Sequence, residues 1–284
     1  MMEAIGLEPV DAITVSTLVD NLTDSLLTDE GPAKRPSMAA SPRLPARLFV
    51  GGDTDDALGA EHGFAALVTI SKGGRETRVL FDAGRTPDGL VENMRRLDLS
   101  PRDLDIIVLS HGHWDHVTGM DGLVGRLGRT SMPVLIHPEF WTRRRLAFPG
   151  RDAVELPTTS KQALQGAGFE IVEQRQPSFL LDGSLLVTGE VDRTTEFERG
   201  FPGHEAHVHG AWQPDPLILD DQALVALVRG RGLVVLTGCG HSGIVNIVRY
   251  AQKLSGVRKV HAVIGGFHLT GPLFEPVIPA VRDA

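Results

Sequence analysis

A chain of 284 residues with one cysteine, one tyrosine and 5% aromatic residues carries few of the groups that mark specialised proteins. The lone Cys239 excludes an intramolecular disulfide, so the fold needs no oxidising compartment. Basic residues are the minority, 28 Lys+Arg against 36 Asp+Glu, for a formal net charge of −8. That balance argues against nucleic acid and anionic membranes as partners, because both repel it. No apolar run reaches the roughly 18 residues of a membrane-spanning helix. The start, MMEAIGLEPVDAITV, lacks the basic residues and apolar stretch of a secretory signal. The expectation is a soluble, cytoplasmic protein, with oligomerisation left open.

What is present suits a packed α/β domain: 42% hydrophobic residues, with 32 Gly and 18 Pro for turns. Residues 11–22 alternate and are rich in β-branched side chains, which predicts an opening strand. Residues 28–47 hold four prolines and little that could enter a core, so a Pro-rich loop or insert is expected there. A strand pair follows at Phe64–Ser71 and Thr77–Phe81, turning through Lys72-Gly73-Gly74-Arg75. Residues 87–97 place Leu90, Met94 and Leu97 at helical spacing, and Asp105–Leu109 reads as a strand covered on both faces. The second half repeats the theme. Strands are expected at 134–136, 184–188, 223–228, 233–237 and 259–264, and helices at 161–167 and 244–254. Two related α/β halves packed as a sandwich account for this order, within a single domain over 1–284.

The chemistry lies directly after the buried strand DIIVL, in Ser110-His111-Gly112-His113-Trp114-Asp115-His116. Three imidazoles and a carboxylate fall within six positions at the end of a rigid element. Divalent metals such as zinc bind these groups at about 2.0–2.2 Å and need several converging donors. A loop leaving a strand can turn alternate residues towards two adjacent points. His111 and His113 can then serve one metal, and Asp115 and His116 a second.

The run HGHWDH resembles the H-x-H-x-D-H signature of the metallo-β-lactamase superfamily. The resemblance implies an αββα four-layer sandwich with a dinuclear metal site at one edge of its sheets. It also implies that Asp82, in Leu80-Phe81-Asp82-Ala83-Gly84, buttresses the metal loop. Cys239, ending Val235-Leu236-Thr237-Gly238-Cys239, stands where the family has a bridging ligand, and His268 in Gly265-Gly266-Phe267-His268 resembles the last ligand. Further shared words narrow the likeness: Glu61-His62-Gly63-Phe64, Gly189-Glu190-Val191-Asp192-Arg193, Asp220-Asp221-Gln222-Ala223 and Gly238-Cys239-Gly240-His241-Ser242-Gly243. They are similar to a branch named after a 7,8-dihydropterin-6-methyl-4-(β-D-ribofuranosyl)aminobenzene 5′-phosphate synthase.

Two features depart from the superfamily pattern. Its third metal-1 histidine is absent where Asp220-Asp221-Gln222 stands, so Asp221 is expected to support the site from behind and His241 to complete the ligand set. His241 at a helix start, contacting only substrate, is the alternative. The branch pattern also continues beyond Ala284, so the C-terminus reads as short or truncated. Cys239 can ligate metal or simply close a strand as a small buried residue.

Substrate contacts are expected from His62, Ser242, Arg144 and His207. Ser242 reads as the N-cap of a helix whose free N–H groups can receive an anion. Arg143, Arg144 and Arg145 can bind phosphate or carboxylate, or form a solvated basic helix face. His204, His207 and His209 lie in PGHEAHVHGAW and read as a loop at the pocket rim.

The leading expectation is a metallo-hydrolase with two divalent ions, zinc first and manganese or iron as alternatives. His111 and His113 hold one ion, and Asp115 orients a metal-bound hydroxide on a small ester, lactone or phosphoester, an anionic substrate being one such class. A synthase-type transfer joining a pterin to a ribofuranosylaminobenzene phosphate uses the same site. A non-catalytic or redox metal-binding module is the third alternative.

Overall fold

The computed structural model describes residues 6–37, 39 and 41–284; the start of the chain to Ile5, Met38 and Ala40 lie outside the described residues, including those parts of the readings above. In chain order the strands are β1 (Ala12–Val19), β2 (Arg43–Pro45), β3 (Asp53–Asp55), β4 (Ala65–Lys72), β5 (Arg75–Phe81), β6 (Ile106–Val108), β7 (Pro133–Ile136), β8 (Arg144–Leu146), β9 (Val154–Glu155), β10 (Glu170–Glu173), β11 (Ser178–Leu180), β12 (Leu185–Val187), β13 (His204–Val208), β14 (Ala211–Pro214), β15 (Ala223–Val228), β16 (Gly232–Thr237) and β17 (Val260–Gly265). The helices are α1 (Gly89–Arg96), α2 (Met120–Leu127), α3 (Lys161–Gly166), α4 (Ile244–Ser255) and α5 (Ile278–Asp283).

Period-two alternation along the central strands explains the layers. In β15, Leu224, Ala226 and Val228 point into one core while Ala223 and Val225 point into another. In β16, Val234 and Leu236 face the first and Leu233 and Val235 the second. The first core lies between two sheets. One has six strands in the order β1-β4-β5-β6-β7-β10, the other five in the order β11-β12-β15-β16-β17. Across it Phe81, Val79 and Val108 meet Val187, Leu224 and Leu236. On the outside of the six-stranded sheet, Leu80, Ile107 and Val134 pack against Leu90 and Met94 of α1, Leu123 of α2 and Leu164 of α3. On the outside of the five-stranded sheet, Val225 and Val235 pack against Ile247, Tyr250 and Leu254 of α4. Helix, sheet, sheet, helix is the expected αββα sandwich.

The strand β5 runs parallel to β6, and β16 parallel to β17, so two pairs of strands end at a common edge. Antiparallel β15 begins at that same edge, with Ala223 opposite Thr237. The Pro-rich stretch is largely without regular structure, apart from a β2–β3 hairpin.

One part of the fold departs from expectation. Residues 142–145 form no helix; a single 3-10 turn ends at Trp141. Instead β8 begins at Arg144 and joins a four-stranded sheet in the order β14-β13-β8-β9. His204–Val208 is likewise strand β13 rather than rim loop. Among the described residues no helix is long and apolar enough to cross a membrane.

Phe81 is fully buried between the sheets. Phe81→Ala should cost about 3–5 kcal/mol in urea unfolding by leaving a cavity that the rigid strands cannot fill. A loss below about 1 kcal/mol would place the stabilising core elsewhere.

Candidate metal centre

Every expected metal ligand lies just beyond one of the converging strand ends. Asp82 follows β5 with φ of 60°, a left-handed backbone that a non-glycine residue keeps only where its surroundings hold it. Its Oδ1 accepts the Ser110 N–H at 2.7 Å and its Oδ2 the Ser110 hydroxyl at 2.7 Å. Because that hydroxyl donates to Asp82, it accepts from His111 Nδ1, 2.8 Å away, which leaves His111 Nε2 without a proton. Asp82 Oδ2 also takes the Nδ1 proton of His116 at 2.6 Å, and His116 Nε2 then faces the Cys239 sulfur at 2.9 Å. One carboxylate therefore orients two imidazoles, leaving His111 Nε2 bare and aiming His116 Nε2 at the Cys239 sulfur. Gly238 permits the close approach of this assembly to the second sheet. A Cβ there would fall 2.1 Å from Ser110 Oγ and 2.7 Å from Asp82 Oδ2.

A second carboxylate grips the loop from the opposite side. Asp220 Oδ2 accepts the Gly112 N–H at 2.8 Å, and its Oδ1 pairs with Arg144 at 2.6 Å. Arg144 is buried and its Nε donates to Asp215 at 2.8 Å. Gln222 completes the clasp by donating its side-chain amide to Leu109 O at 2.9 Å and its backbone N–H to Ser110 O at 3.0 Å.

The donor atoms converge in three overlapping groups, each with its atoms within 4.8 Å of one another: His111, His113 and His241; His111, His116 and Cys239; Cys239, His241 and His268. His111 Nε2 and His113 Nδ1 lie 3.0 Å apart. Asp115 Oδ2 is 3.7 Å from His116 Nε2. His241 Nε2 is buried with no hydrogen-bond partner, which a native interior tolerates poorly. Bare, convergent nitrogens and an orphaned one fit a divalent metal ion. Burial, together with the neighbouring imidazoles, holds His111, His113 and His241 well below the usual histidine range, so they are neutral as ligation requires. Burial works against charge on His116 as well, but Cys239 and Asp82 outweigh it and raise that residue.

The other expected residues are placed as follows. His62 is exposed at the rim, its Nε2 3.5 Å from Asp115 Oδ2. Asp221 lies behind His241: its Oδ2 accepts the Ser242 N–H at 2.8 Å, and burial pushes its carboxyl up to about 6. Ser242 is buried, and its hydroxyl donates to Asp221 O at 3.3 Å. The helix N-cap is Gly243, and the Glu198 carboxylate accepts the Val245 and Asn246 N–H groups at 2.8 and 2.9 Å. The donors at the start of α4 are thus taken within the chain. His207 lies against Trp212, 5.1 Å between ring centroids, on the opposite side of β13 from His204.

His204 is the residue that sequence reasoning placed at the rim and the structure places inside. Its ring is 4.9 Å from that of His113 and 6.2 Å from that of His241. Phe201, 4.5 Å from His204 and 5.0 Å from His268, was also missed. No spacing rule singles out a lone histidine or phenylalanine brought in by a separate sheet.

A family model described as the metallo-beta-lactamase superfamily matches residues 58–245. The chain belongs to the metallo-β-lactamase superfamily. It is 30% identical over 233 residues to the 7,8-dihydropterin-6-methyl-4-(β-D-ribofuranosyl)-aminobenzene-5′-phosphate synthase of Methanocaldococcus jannaschii, covering 78% of this chain and 76% of that one. An uncharacterized protein of the same organism is 33% identical over 213 residues, covering 75% and 74%. Among solved structures, Tm1679, described as a metal-dependent hydrolase of the β-lactamase superfamily, matches with a TM-score of 0.63 at 21% identity, covering 96% of this chain and 84% of that one. That likeness concerns the fold. As a metallo-β-lactamase superfamily member the chain is of an enzyme family that usually binds metal ions, and its His/Cys cluster is where such an ion fits.

Asp82→Asn keeps the shape of the side chain but weakens its hold on the His116 proton. The change should lower metal affinity about 10–100-fold in competition with a chromophoric chelator. An unchanged affinity would remove Asp82 from the account of the site.

Proposed function

We propose that the protein is a metal-dependent hydrolase acting on a small ester, lactone or phosphoester. The observation that carries the reading is the three overlapping donor groups that share His111, Cys239 and His241, with the buried Asp115 carboxylate beside His116. His111, His113 and His241 would hold one ion, and Asp115, His116 and His268 a second, with Cys239 between the two sets. Zinc suits the imidazole, thiolate and carboxylate donors first, with manganese and iron as alternatives. Bound there, divalent ions would activate a water and polarise the substrate's carbonyl or phosphoryl oxygen.

The chain's own residues then supply orientation. Asp115, on the turn between His113 and His116, would accept a hydrogen bond from a water activated there and so orient it. His62, at the rim and within reach of Asp115 Oδ2, is placed to bind a polar group of the substrate as it enters. Asp82 and Asp221 act through the ligands they back, by holding the loop and the His241 turn still. The expected substrate contacts Ser242, Arg144 and His207 have partners inside the fold: Asp221, Asp215 with Asp220, and Trp212 respectively.

A synthase-type transfer at the same site is the second reading, favoured by the 30% identity to the dihydropterin-ribofuranosylaminobenzene phosphate synthase. Asp115→Asn separates both from an inert module. With phenyl acetate, γ-butyrolactone and p-nitrophenyl phosphate as probes, the wild type should hydrolyse at least one of them. The variant should lose about a hundredfold or more in kcat/KM with its far-ultraviolet circular dichroism unchanged. Full activity in the variant would sink the role of Asp115. No hydrolysis by the metal-loaded wild type, with binding of a pterin phosphate, would transfer the assignment to the synthase reading.

A further inference from the structure

His204 is 3% exposed, and its Nδ1 has no hydrogen-bond partner among the described residues. A buried polar nitrogen without a partner is costly, and native interiors rarely keep one without a use. The strand holds this one rigidly: His204 pairs with Leu146 across β13 and β8, and its carbonyl accepts the Asp215 N–H at 2.9 Å. Arg144, on the neighbouring strand, spends its guanidinium on Asp215 and Asp220.

Three phenylalanines from separate segments form a cluster centred on Phe201, which packs on His204, in a chain with only eleven. Phe201 lies 4.5 Å from His204 and is stacked at 14° to His241, 6.3 Å away. Phe274 is 5.1 Å from Phe201 and 4.7 Å from His268. Phe148 is 6.3 Å from Phe201 and lies over Gly203, where a Cβ would come within 2.6 Å of its ring. All three are half-buried; Phe201 lies beside both His241 and His268, Phe274 beside His268, and Phe148 against Phe201. Rings that meet edge-on and offset favour another flat ring over a puckered aliphatic one.

We propose that Phe148, Phe201 and Phe274 form a subsite for a planar aromatic part of the substrate, with His204 Nδ1 hydrogen-bonding a polar atom carried on that ring. The proposal rests on the reading of the cluster as the reaction centre, and it names the substrate class which that centre takes. His204 is here a residue that touches substrate, not a metal ligand.

The test uses the full-length, metal-loaded protein and two carboxylates of equal carbon count, benzoate and cyclohexanecarboxylate, titrated by calorimetry. Benzoate should bind about fivefold or more tightly, and Phe201→Ala or Phe274→Ala should abolish that preference. At least one of the three hydroxybenzoates should bind more tightly than benzoate itself. That gain should vanish in His204→Ala and His204→Gln and return in His204→Asn, whose amide stands where Nδ1 does. Metal content per chain, measured by plasma mass spectrometry, should be unchanged in every variant. Equal binding of the two carboxylates, or a preference that survives Phe201→Ala and Phe274→Ala, would overturn the subsite. A hydroxybenzoate gain that is absent, or indifferent to His204, would overturn the role of that residue; if His204→Ala does not fold, the Asn and Gln pair decides. Hydrolysis is assayed separately on phenyl acetate, γ-butyrolactone and p-nitrophenyl phosphate. Preference without hydrolysis would sink the hydrolase reading alone, and hydrolysis without preference the subsite alone.

Discussion

A single carboxylate, Asp82, fixes the geometry on which everything at the sheet edge depends. It sits in a left-handed backbone directly after β5 and is fully buried, and its two oxygens take the Ser110 N–H, the Ser110 hydroxyl and the His116 ring proton. An ionised carboxylate in such a place needs compensating donors, and it has three. Through these contacts the tautomer of His111 and the orientation of the His116 ring are set by the strand end. Asp220 plays the complementary part from the second sheet by holding Gly112, and Arg144 balances its charge. The ligand loop is clamped between two carboxylates from two different sheets.

The sandwich explains why so short a motif can be so dense. Strands β5, β6 and β16 carry buried apolar side chains on both faces towards their ends, and β17 packs beside β16, so their exits are rigid. Three chain segments bring the candidate ligands to one point without long loops, and a fourth, after β5, brings Asp82 behind them. Helices α1, α2 and α4 cover the outer faces and take no direct part. The donors at the start of α4 go to Glu198, and Asn246 holds the Thr194 and Thr195 N–H groups, so that this end of the helix braces the segment leading to Phe201.

Most of this architecture was legible because it rests on strong local signals. The alternation in AALVTISK and the continuous run ALVALV are visible without a structure, and so are the histidines after DIIVL. Strand β16 and helix α4 fall within one residue of expectation. The four-stranded sheet was not legible, and the reason is physical. Strands β8, β9, β13 and β14 are two to five residues long and carry arginine, glutamate and histidine in place of an apolar stripe. Their stability comes from cross-strand pairs, Arg145 with Glu205 and Arg143 with Glu155, and from Arg145 over Trp212 at 4.6 Å. Such pairs are invisible until the register is known. With that sheet unseen, Arg144 reads as a surface cation and His204 as one of three equivalent rim histidines. The ladder separates them: alternation turns His204 inward and His207 outward, and burial turns Arg144 into the partner of Asp220.

The central claim is that these imidazoles, Cys239 and Asp115 form a metal centre that His241 completes in place of the histidine absent at Asp221. Elemental analysis by plasma mass spectrometry on protein purified without added metal, as wild type and as His241→Ala, tests it directly. The account predicts about two equivalents of zinc, manganese or iron in the wild type, falling towards one in the variant. A wild type with only trace metal, or a variant that keeps the full complement, would contradict it.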